Sequence, residues 1–519
     1  KMVGLLLPPS PGGALVNYAA LLLGRVPVNL NYTVSEETLA SCIRQCGIQT
    51  VVSSRTFLTK VKLKVPCELV LLEEVMGLGT QGTEAAQTSS SAPAGSTEIQ
   101  TAEISQVVTS ENRRPGLFEK LAAILIAVCV PDRWIQRVVG AEEKSKLDDL
   151  VTVIFSSGST GDPKGVMLSH YNVGSNVEQL EQVFGLNPND RLLGILPFFH
   201  SFGFMGTLTL PAMLGVGVAY HPNPLDGKTI GQLVRDHKLT FLLATPTFLQ
   251  IYMRGCGGDD FGSLRVVMTG AEKLPDRLAA AFEEQFGIRP LEGYGCTECA
   301  PAVAVNTLDF RSAGFRQIGG KRGKIGHPLP GVSVRIVDPQ TMQPMPMGQP
   351  GLMLVKGPNV MQGYLGKPEK SAEVLITDGE GDAPWYVTGD IAAIDEDGFL
   401  QITDRLSRFS KIGGEMVPHI KIEEKLHELS AATEQTFVVA GVPDEKKGER
   451  LIVLHKLTAE KLQPVLDKLG QSELPNLWKP RADQFFQVEA FPYLGTGKLD
   501  LRKIKELASQ LSGAVPATV

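Results

Sequence analysis

The sequence predicts an α/β protein: a large layered unit over residues 1–403, followed by a small α+β unit over 404–519. From Val151 to about Gln401, short β-branched runs alternate with helical stretches, as in layered α/β domains. Phe241–Ala244 (FLLA) and Leu264–Met268 (LRVVM) read as strands, the latter ahead of a helix over Asp276–Phe286. After Thr403 the pattern changes to a helix over Ile422–Leu429, strands at Thr436–Val442 and Leu451–His455, and a last helix at Leu501–Leu511. The length of 519 residues exceeds what one domain normally holds, and 43% hydrophobic with 20% charged residues suits a large core.

Taken in order, Val3–Leu7 is a buried strand and Gly12–Leu23 a helix with small residues on one face. Thr33–Cys46 is a second helix, with Ser35 as its N-cap and Glu36 and Glu37 in the favourable first turn. Gly77–Gly116 contains TQGTEAAQTSSSAPAGSTE, is poor in large apolar residues, and reads as a disordered or loosely held insertion. Leu117–Val139 has an apolar core, then Pro131, then Trp134 between Arg133 and Arg137. Such a segment lies either on a membrane surface, with Trp and Arg at the interface, or against the main unit; the residues leave both open. Val151–Phe155 is a further strand.

Several classes are excluded. The formal net charge is −6 and no basic block is long enough for nucleic-acid binding. No run reaches the roughly 18 apolar residues of a membrane span. Seven irregularly spaced cysteines suit a reducing compartment. Cys296 and Cys299 have CxxC spacing without a second pair, and so read as small packing residues rather than zinc ligands.

The segment that carries chemistry is Ser156–Gly165 (SSGSTGDPKG), directly after the strand Val151–Phe155. Glycines allow close backbone approach, hydroxyls and N–H groups donate to phosphate oxygens, and Lys164 adds positive charge. The Walker A spacing is absent, and a loop of this kind alone is more often a plain turn. Further segments follow it: Pro197–Gly203 (PFFHSFG), Thr269–Pro275 (TGAEKLP), Gly293–Glu298 (GYGCTE) and Gly323–Gly331 (GKIGHPLPG). Trp385–Asp390 (WYVTGD), Asp404–Glu415 (DRLSRFSKIGGE) and Pro492–Arg502 (PYLGTGKLDLR) complete the series. In this order the segments resemble the motifs of the adenylate-forming superfamily, which includes acyl-CoA synthetases, peptide-synthetase adenylation domains and luciferases.

The resemblance covers nearly the whole chain. It implies a large adenylate-forming domain with a small mobile C-terminal domain. Ser156, Ser157, Gly158, Ser159, Thr160, Gly161 and Lys164 would hold the phosphates of ATP. Thr297 would contact phosphate, Glu298 would hold Mg²⁺, and Tyr294 would stack on adenine, with Gly270, Ala271 and Gly295 beside the nucleotide. Asp390 would accept both ribose hydroxyls, a good match of carboxylate to diol. Arg405 would contact ribose or the α-phosphate, and Lys498 would be the mobile catalytic lysine. His200 would stand where acyl and nucleotide sites meet, and Lys411 and Gly414 in KIGGE would turn toward the thiol acceptor. Asp395 and Asp397 lie outside the motifs and read as hairpin-turn residues. Ser407 stands at the hinge position, where the family usually has Asp or Lys.

The wording of the motifs is most similar to the acyl–acyl-carrier-protein synthetase part of bifunctional acyltransferase/synthetase proteins. That implies a long-chain fatty acid as substrate and the phosphopantetheine thiol of acyl carrier protein as acceptor, with CoA as the rival. It also implies a cytoplasmic protein at the inner face of the bacterial inner membrane, forming part of a larger polypeptide. A docking face for acidic carrier protein should be basic, and Arg405, Arg408, Lys411, Lys421, Lys425, Lys446, Lys447 and Arg450 are the candidates. A non-catalytic remnant would have lost one of Lys164, Glu298, Asp390, Arg405 or Lys498, and all are present.

Overall fold

The computed structural model describes residues 1–75, 116–141, 145–156, 163–377, 379, 383–405, 408–412, 415–432, 434–444, 448–493 and 499–513. Apart from Gly116, the low-complexity insertion lies outside the described residues, as does Ser407.

The chain opens with a parallel four-stranded sheet in the order Val26–Asn29, Met2–Leu6, Thr50–Ser53, Glu68–Leu71. Helices Pro11–Leu22 and Glu36–Gln45 connect its strands. The Ser35 hydroxyl accepts the Thr38 N–H at 3.2 Å, the N-cap expected from sequence. Leu39, Cys42 and Ile43 close one core over Leu6, Val28 and Val51.

The central layer is a seven-stranded sheet. Gly217–Tyr220, Arg191–Gly194, Phe241–Ala244, Val266–Thr269 and Leu291–Gly295 run parallel, and Ala302–Val305 and His327–Pro328 finish it antiparallel. The four residues of Phe241–Ala244 are all buried, as a strand covered on both faces requires. Helix Asp276–Phe286 has the predicted bounds. It buries Leu278, Ala279, Phe282 and Phe286, and ends on Gly287 in the left-handed region (φ 69°).

Two antiparallel sheets frame the site. Strands Leu150–Ser156 and Lys164–Ser169 form a hairpin with Ser156 opposite Lys164, and Gly363–Tyr364 adds to its edge. Strands Ser333–Val337, Gly351–Lys356, Trp385–Ile394 and Leu375–Ile376 form the other, with Leu400–Arg405 paired to Trp385–Ile394 so that Arg405 lies opposite Asp390. The connecting turn is closed by Asp395, whose carboxylate accepts the N–H groups of Asp397 (3.1 Å) and Phe399 (2.9 Å). This is the turn role expected of that residue.

From Phe409 onward the chain builds a separate sheet: Glu415–Pro418, Phe409–Ile412, Gly448–His455, Phe437–Asp444, with Phe485–Gln487 parallel to Gly448–His455. Alternate strand residues face opposite sides. Val439 and Val453 pack on Ile422 and Leu426 of helix His419–Ser430, while Val438 and Ile452 pack on Ile504 and Ala508 of helix Leu501–Leu511.

The Leu117–Val139 segment forms two helices, Leu117–Cys129 and Asp132–Val138, broken at Pro131. Its apolar side chains face outward, with Phe118 89% and Val128 78% exposed and Leu121, Ile124, Leu125 and Trp134 also on the surface. Among the described residues no helix is long and apolar enough to cross a membrane.

Candidate active site

The motif residues converge at the C-terminal ends of the parallel strands, where open α/β sheets bind ligands. Tyr294 is on strand Leu291–Gly295, and its hydroxyl donates to Asp390 Oδ2. Asp390 is 4% exposed; its N–H is donated to Thr388 Oγ1 (3.0 Å), and its Oδ1 meets Arg405 Nε at 2.9 Å. Strand pairing sets Asp390 opposite Arg405, so the ion pair follows from register rather than from loop placement. Burial, then the adjacent Asp390 charge, push the Tyr294 hydroxyl well above the usual phenol range, so it stays a donor. A carboxylate has about four acceptor positions, and two remain for a diol.

The second cluster is built on the short helix Thr297–Cys299. Glu298 is buried, and its Oε1 accepts the Tyr364 hydroxyl at 2.9 Å. Lys164 Nζ stands 5.1 Å from the centre of the Tyr364 ring, close enough for cation–π attraction. Thr297 Oγ1 and Ser201 Oγ lie 3.3 Å apart and join this motif to PFFHSFG. Gly295 permits the sharp approach: a Cβ there would stand 2.2 Å from the Pro301 carbonyl oxygen.

His200 caps the helical run that starts at Ser201, its Nδ1 accepting the Phe202 N–H at 3.3 Å. The Phe202 ring lies against Gly270, and Ala271 follows in the left-handed region (φ 71°). Cys299 is packed in the main core with Cys296 half-buried against it, and contact with Cys299 together with burial pushes the Cys296 thiol up. Both behave as packing residues.

Other expected residues are placed only in part. Ser157, Gly158, Ser159, Thr160, Gly161, Gly414 and Lys498 lie outside the described residues. Ser156 and Lys164 mark the ends of the hairpin that carries the loop, and Lys411 is paired opposite Met416 by backbone register. Tyr493, just upstream of Lys498, has its hydroxyl pushed up by burial and by Glu272 of the TGAEKLP motif and Glu434.

The passage between the two sheets holds a buried charged cluster. Asp404 is fully buried; Oδ1 accepts the Arg405 N–H (2.8 Å) and Oδ2 the Ile420 N–H (3.2 Å) in the first turn of helix His419–Ser430. Burial outweighs these donors and Arg408, pushing the carboxyl up to about 7. Arg408 pairs with buried Glu423, whose Oε1 also accepts the Val439 N–H at 2.6 Å. Arg408 is therefore interior and does not belong to a basic docking face. Lys421 stacks over Trp478 (5.9 Å), Lys425 meets Glu428 (2.9 Å), and Arg450 donates to the Ser512 carbonyl (2.9 Å). Lys446 and Lys447 lie outside the described residues.

Sequence reasoning missed Tyr364 and Ser201. Tyr364 is 66 residues from Glu298 in the chain, and only the sheet edge brings them together. Ser201 was visible as a hydroxyl inside PFFHSFG, but its partner was not.

Residues 1–365 match the family described as AMP-binding enzyme. The chain belongs to that family. Among AMP-binding relatives, a long-chain-fatty-acid–CoA ligase of Bacillus subtilis is 32% identical over 371 residues, 69% of this chain and 62% of that protein. A feruloyl-CoA synthase of an Amycolatopsis species is 34% identical over 305 residues, 58% of each chain. The matched stretch thus spans about three fifths of the length of these two relatives. The fold is shared with ATP-bound MatB of Rhodopseudomonas palustris (TM-score 0.75, 23% identity, 99% of this chain and 89% of that one). It is also shared with o-succinylbenzoate CoA synthetase of Bacillus subtilis in complex with its acyl-adenylate (TM-score 0.73, 21% identity, 100% and 89%).

Proposed function

We propose that this chain activates a long-chain fatty acid with ATP and passes the acyl group to a thiol. A carboxylate oxygen attacks the α-phosphorus and pyrophosphate leaves; the thiolate sulfur then attacks the acyl carbon and AMP leaves. Family membership supports the first half, and the observation that carries it is Asp390, buried, bonded by Tyr294 and paired with Arg405. On this reading Asp390 accepts the ribose hydroxyls, Tyr294 lies along adenine, and Arg405 reaches toward ribose or the α-phosphate. Thr297, with the loop 156–164, holds the phosphates. His200 faces both acid and nucleotide, and Lys498, carried by the C-terminal unit from residue 404 onward, supplies the positive charge as the acid attacks.

The donor set fits Mg²⁺. Among the described residues no group of three or more His, Cys, Asp or Glu could cage a metal, and Glu298 is a single carboxylate beside a phosphate-binding hydroxyl. Mg²⁺ is commonly held by one or two carboxylates plus substrate phosphates, and supplies charge neutralisation there. Glu298 is aimed by the Tyr364 hydroxyl.

For the acceptor, the motif wording supports the phosphopantetheine of acyl carrier protein, with Lys411 and Gly414 on its side; the similarity to a fatty-acid–CoA ligase and a feruloyl-CoA synthase favours CoA. Purified protein, radiolabelled palmitate and ATP, with carrier protein and CoA compared as acceptors, decides between them. Failure to release AMP with either would sink the activity itself.

The exposed helices Leu117–Cys129 and Asp132–Val138 support a lipid surface as a further partner. Arg137 stands 5.8 Å from the centre of the Trp134 ring, an interfacial pairing. In sequence, Arg113, Arg114, Lys120, Arg133 and Arg137 outnumber Glu119 and Asp132, which suits anionic headgroups. Flotation with phosphatidylglycerol vesicles should carry the protein up, and Val128→Asp should leave it in solution; unchanged flotation would remove this surface from the proposal.

A further inference from the structure

The helical run that starts beside His200 is irregular. It reads Ser201–Gly203 as α, Phe204–Thr209 as a π turn, and Leu210–Leu214 as α again. Pro211 accounts for the change. It has no N–H to give to the carbonyl four residues earlier, that of Thr207, and its ring crowds that oxygen. Widening to π geometry relieves the crowding, with the Leu210 N–H reaching back to the Met205 carbonyl.

The carbonyl that Pro211 leaves without an α-helical donor is the one that Tyr220 reaches. The Tyr220 hydroxyl donates to Thr207 O at 2.7 Å, and the Tyr18 hydroxyl donates to the next carbonyl, Leu208 O, at 2.8 Å. Within the turn, Thr207 Oγ1 donates to Gly203 O (2.8 Å) and Thr209 Oγ1 to Phe204 O (3.0 Å). The two tyrosines come from separate elements, helix Pro11–Leu22 and strand Gly217–Tyr220. Gly194 lies directly opposite Tyr220 in the neighbouring strand, and a Cβ there would stand 2.4 Å from the Tyr220 ring. The ring thus crosses bare backbone and meets Phe198 of PFFHSFG edge-on at 5.7 Å. Burial keeps both hydroxyls protonated as donors.

The π turn is the root of the segment that carries His200, Ser201 and Phe202. Its Gly206 abuts Leu243, where a Cβ would stand 2.4 Å away, so the turn has no slack toward the sheet. We propose that Tyr220, seconded by Tyr18, is a positioning residue that holds this π turn open and so fixes His200 and Phe202 against the acid. The inference rests on the acid-activation reading above. Asp390, Tyr294 and Arg405 are held by other strands and the segment meets the phosphate side only through Ser201 and Thr297, so the effect falls mainly on the acid.

Tyr220→Phe removes only the hydroxyl. In palmitate-dependent ATP–pyrophosphate exchange it should raise the KM for palmitate about tenfold, with the KM for ATP within about twofold. Tyr18→Phe should act in the same direction and more weakly, and remains informative if Tyr220→Phe does not fold. Pro211→Ala restores a backbone N–H for the Thr207 carbonyl, so in that background the Tyr220→Phe effect should shrink to about twofold. Hydrogen exchange over residues 203–214 should accelerate in Tyr220→Phe and recover in the double variant. Equal rises in both KM values, or a Tyr220→Phe effect undiminished by Pro211→Ala, would overturn the proposal. If the wild-type protein gives no palmitate-dependent exchange, the acid reading fails on its own. Hydrogen exchange then decides the restraint, and unchanged exchange in Tyr220→Phe sinks it.

Discussion

The proposed nucleotide side of the site and the contacts that bring the C-terminal unit to it are built in opposite ways. Around Asp390 and Glu298 the polar groups are buried and joined by hydrogen bonds from Tyr294 and Tyr364, which need no rearrangement to present charge. Apart from the buried Asp404–Ile420 bond at the junction, the described side-chain contacts from helix His419–Ser430 and the following loop to the large unit are exposed ion pairs: Lys273 with Glu424, and Arg254 with Glu434 at 2.7 Å. Exposed pairs are worth roughly 0–1 kcal/mol each, whereas a buried hydroxyl–carboxylate bond costs about 1–3 kcal/mol to break. One half of the site is therefore fixed by construction, while away from the junction the other is held by ion pairs that release cheaply. Such a division suits a reaction in which the nucleotide stays while the group delivering charge changes.

The largest test of that contrast is Lys498→Ala. It should lower fatty-acid-dependent ATP–pyrophosphate exchange on the order of a hundred- to a thousandfold, while thioester formation from supplied acyl-AMP stays largely intact. Exchange at the wild-type rate would break the assignment of the delivered charge to the C-terminal unit. Next, Glu298→Gln should shift the Mg²⁺ titration of exchange upward by about tenfold, as loss of a metal-holding carboxylate implies. An unaltered titration would take Glu298 out of the fixed half.

Asp404 sharpens the comparison at the junction itself. Its folded-state value is raised to about 7, so the folded form binds the proton more tightly than the unfolded chain. The stabilising contribution is complete below about pH 4 and is lost as pH rises through about 7, with an upper bound of about 4 kcal/mol from 1.36 kcal/mol per unit. Chemical denaturation of wild type and Asp404→Asn should therefore diverge between about pH 4 and 7, with wild type losing ground as pH rises, and run parallel above. Parallel curves throughout would show that Asp404 does not titrate in that window. The smallest effect belongs to the exposed pair: a double-mutant cycle on Arg254 and Glu434 should give a coupling below about 1 kcal/mol. A coupling several times larger would mean that the C-terminal unit is fastened rather than merely leaned on.

Much of the frame was readable because local chemistry set it. The cap at Ser35, the helix Asp276–Phe286 ending at Gly287, the turn at Asp395 and the closing helix Leu501–Leu511 each carry their signal within a few residues. The motif residues were readable for a different reason, their ordered resemblance to the adenylate-forming superfamily. What joins them was not. Tyr364 meets Glu298, Ser201 meets Thr297 and Asp404 meets Ile420 only through sheet pairing or packing. Arg408 looked like one more surface cation in a basic stretch, and nothing local announced Glu423 as its buried partner. Pro211 was the one neglected local sign, since a proline eleven residues past the cap His200 forecasts a distorted turn.

The rung that pairs Asp390 with Arg405 has one more effect. Four residues beyond Arg405, Phe409 already belongs to the other sheet, so the strand that carries Arg405 leads directly into the smaller lobe. If Asp390 and Arg405 take the ribose as proposed, a bound nucleoside needs no separate messenger to reach the lobe, and displacement of that lobe would loosen the hold on spent AMP.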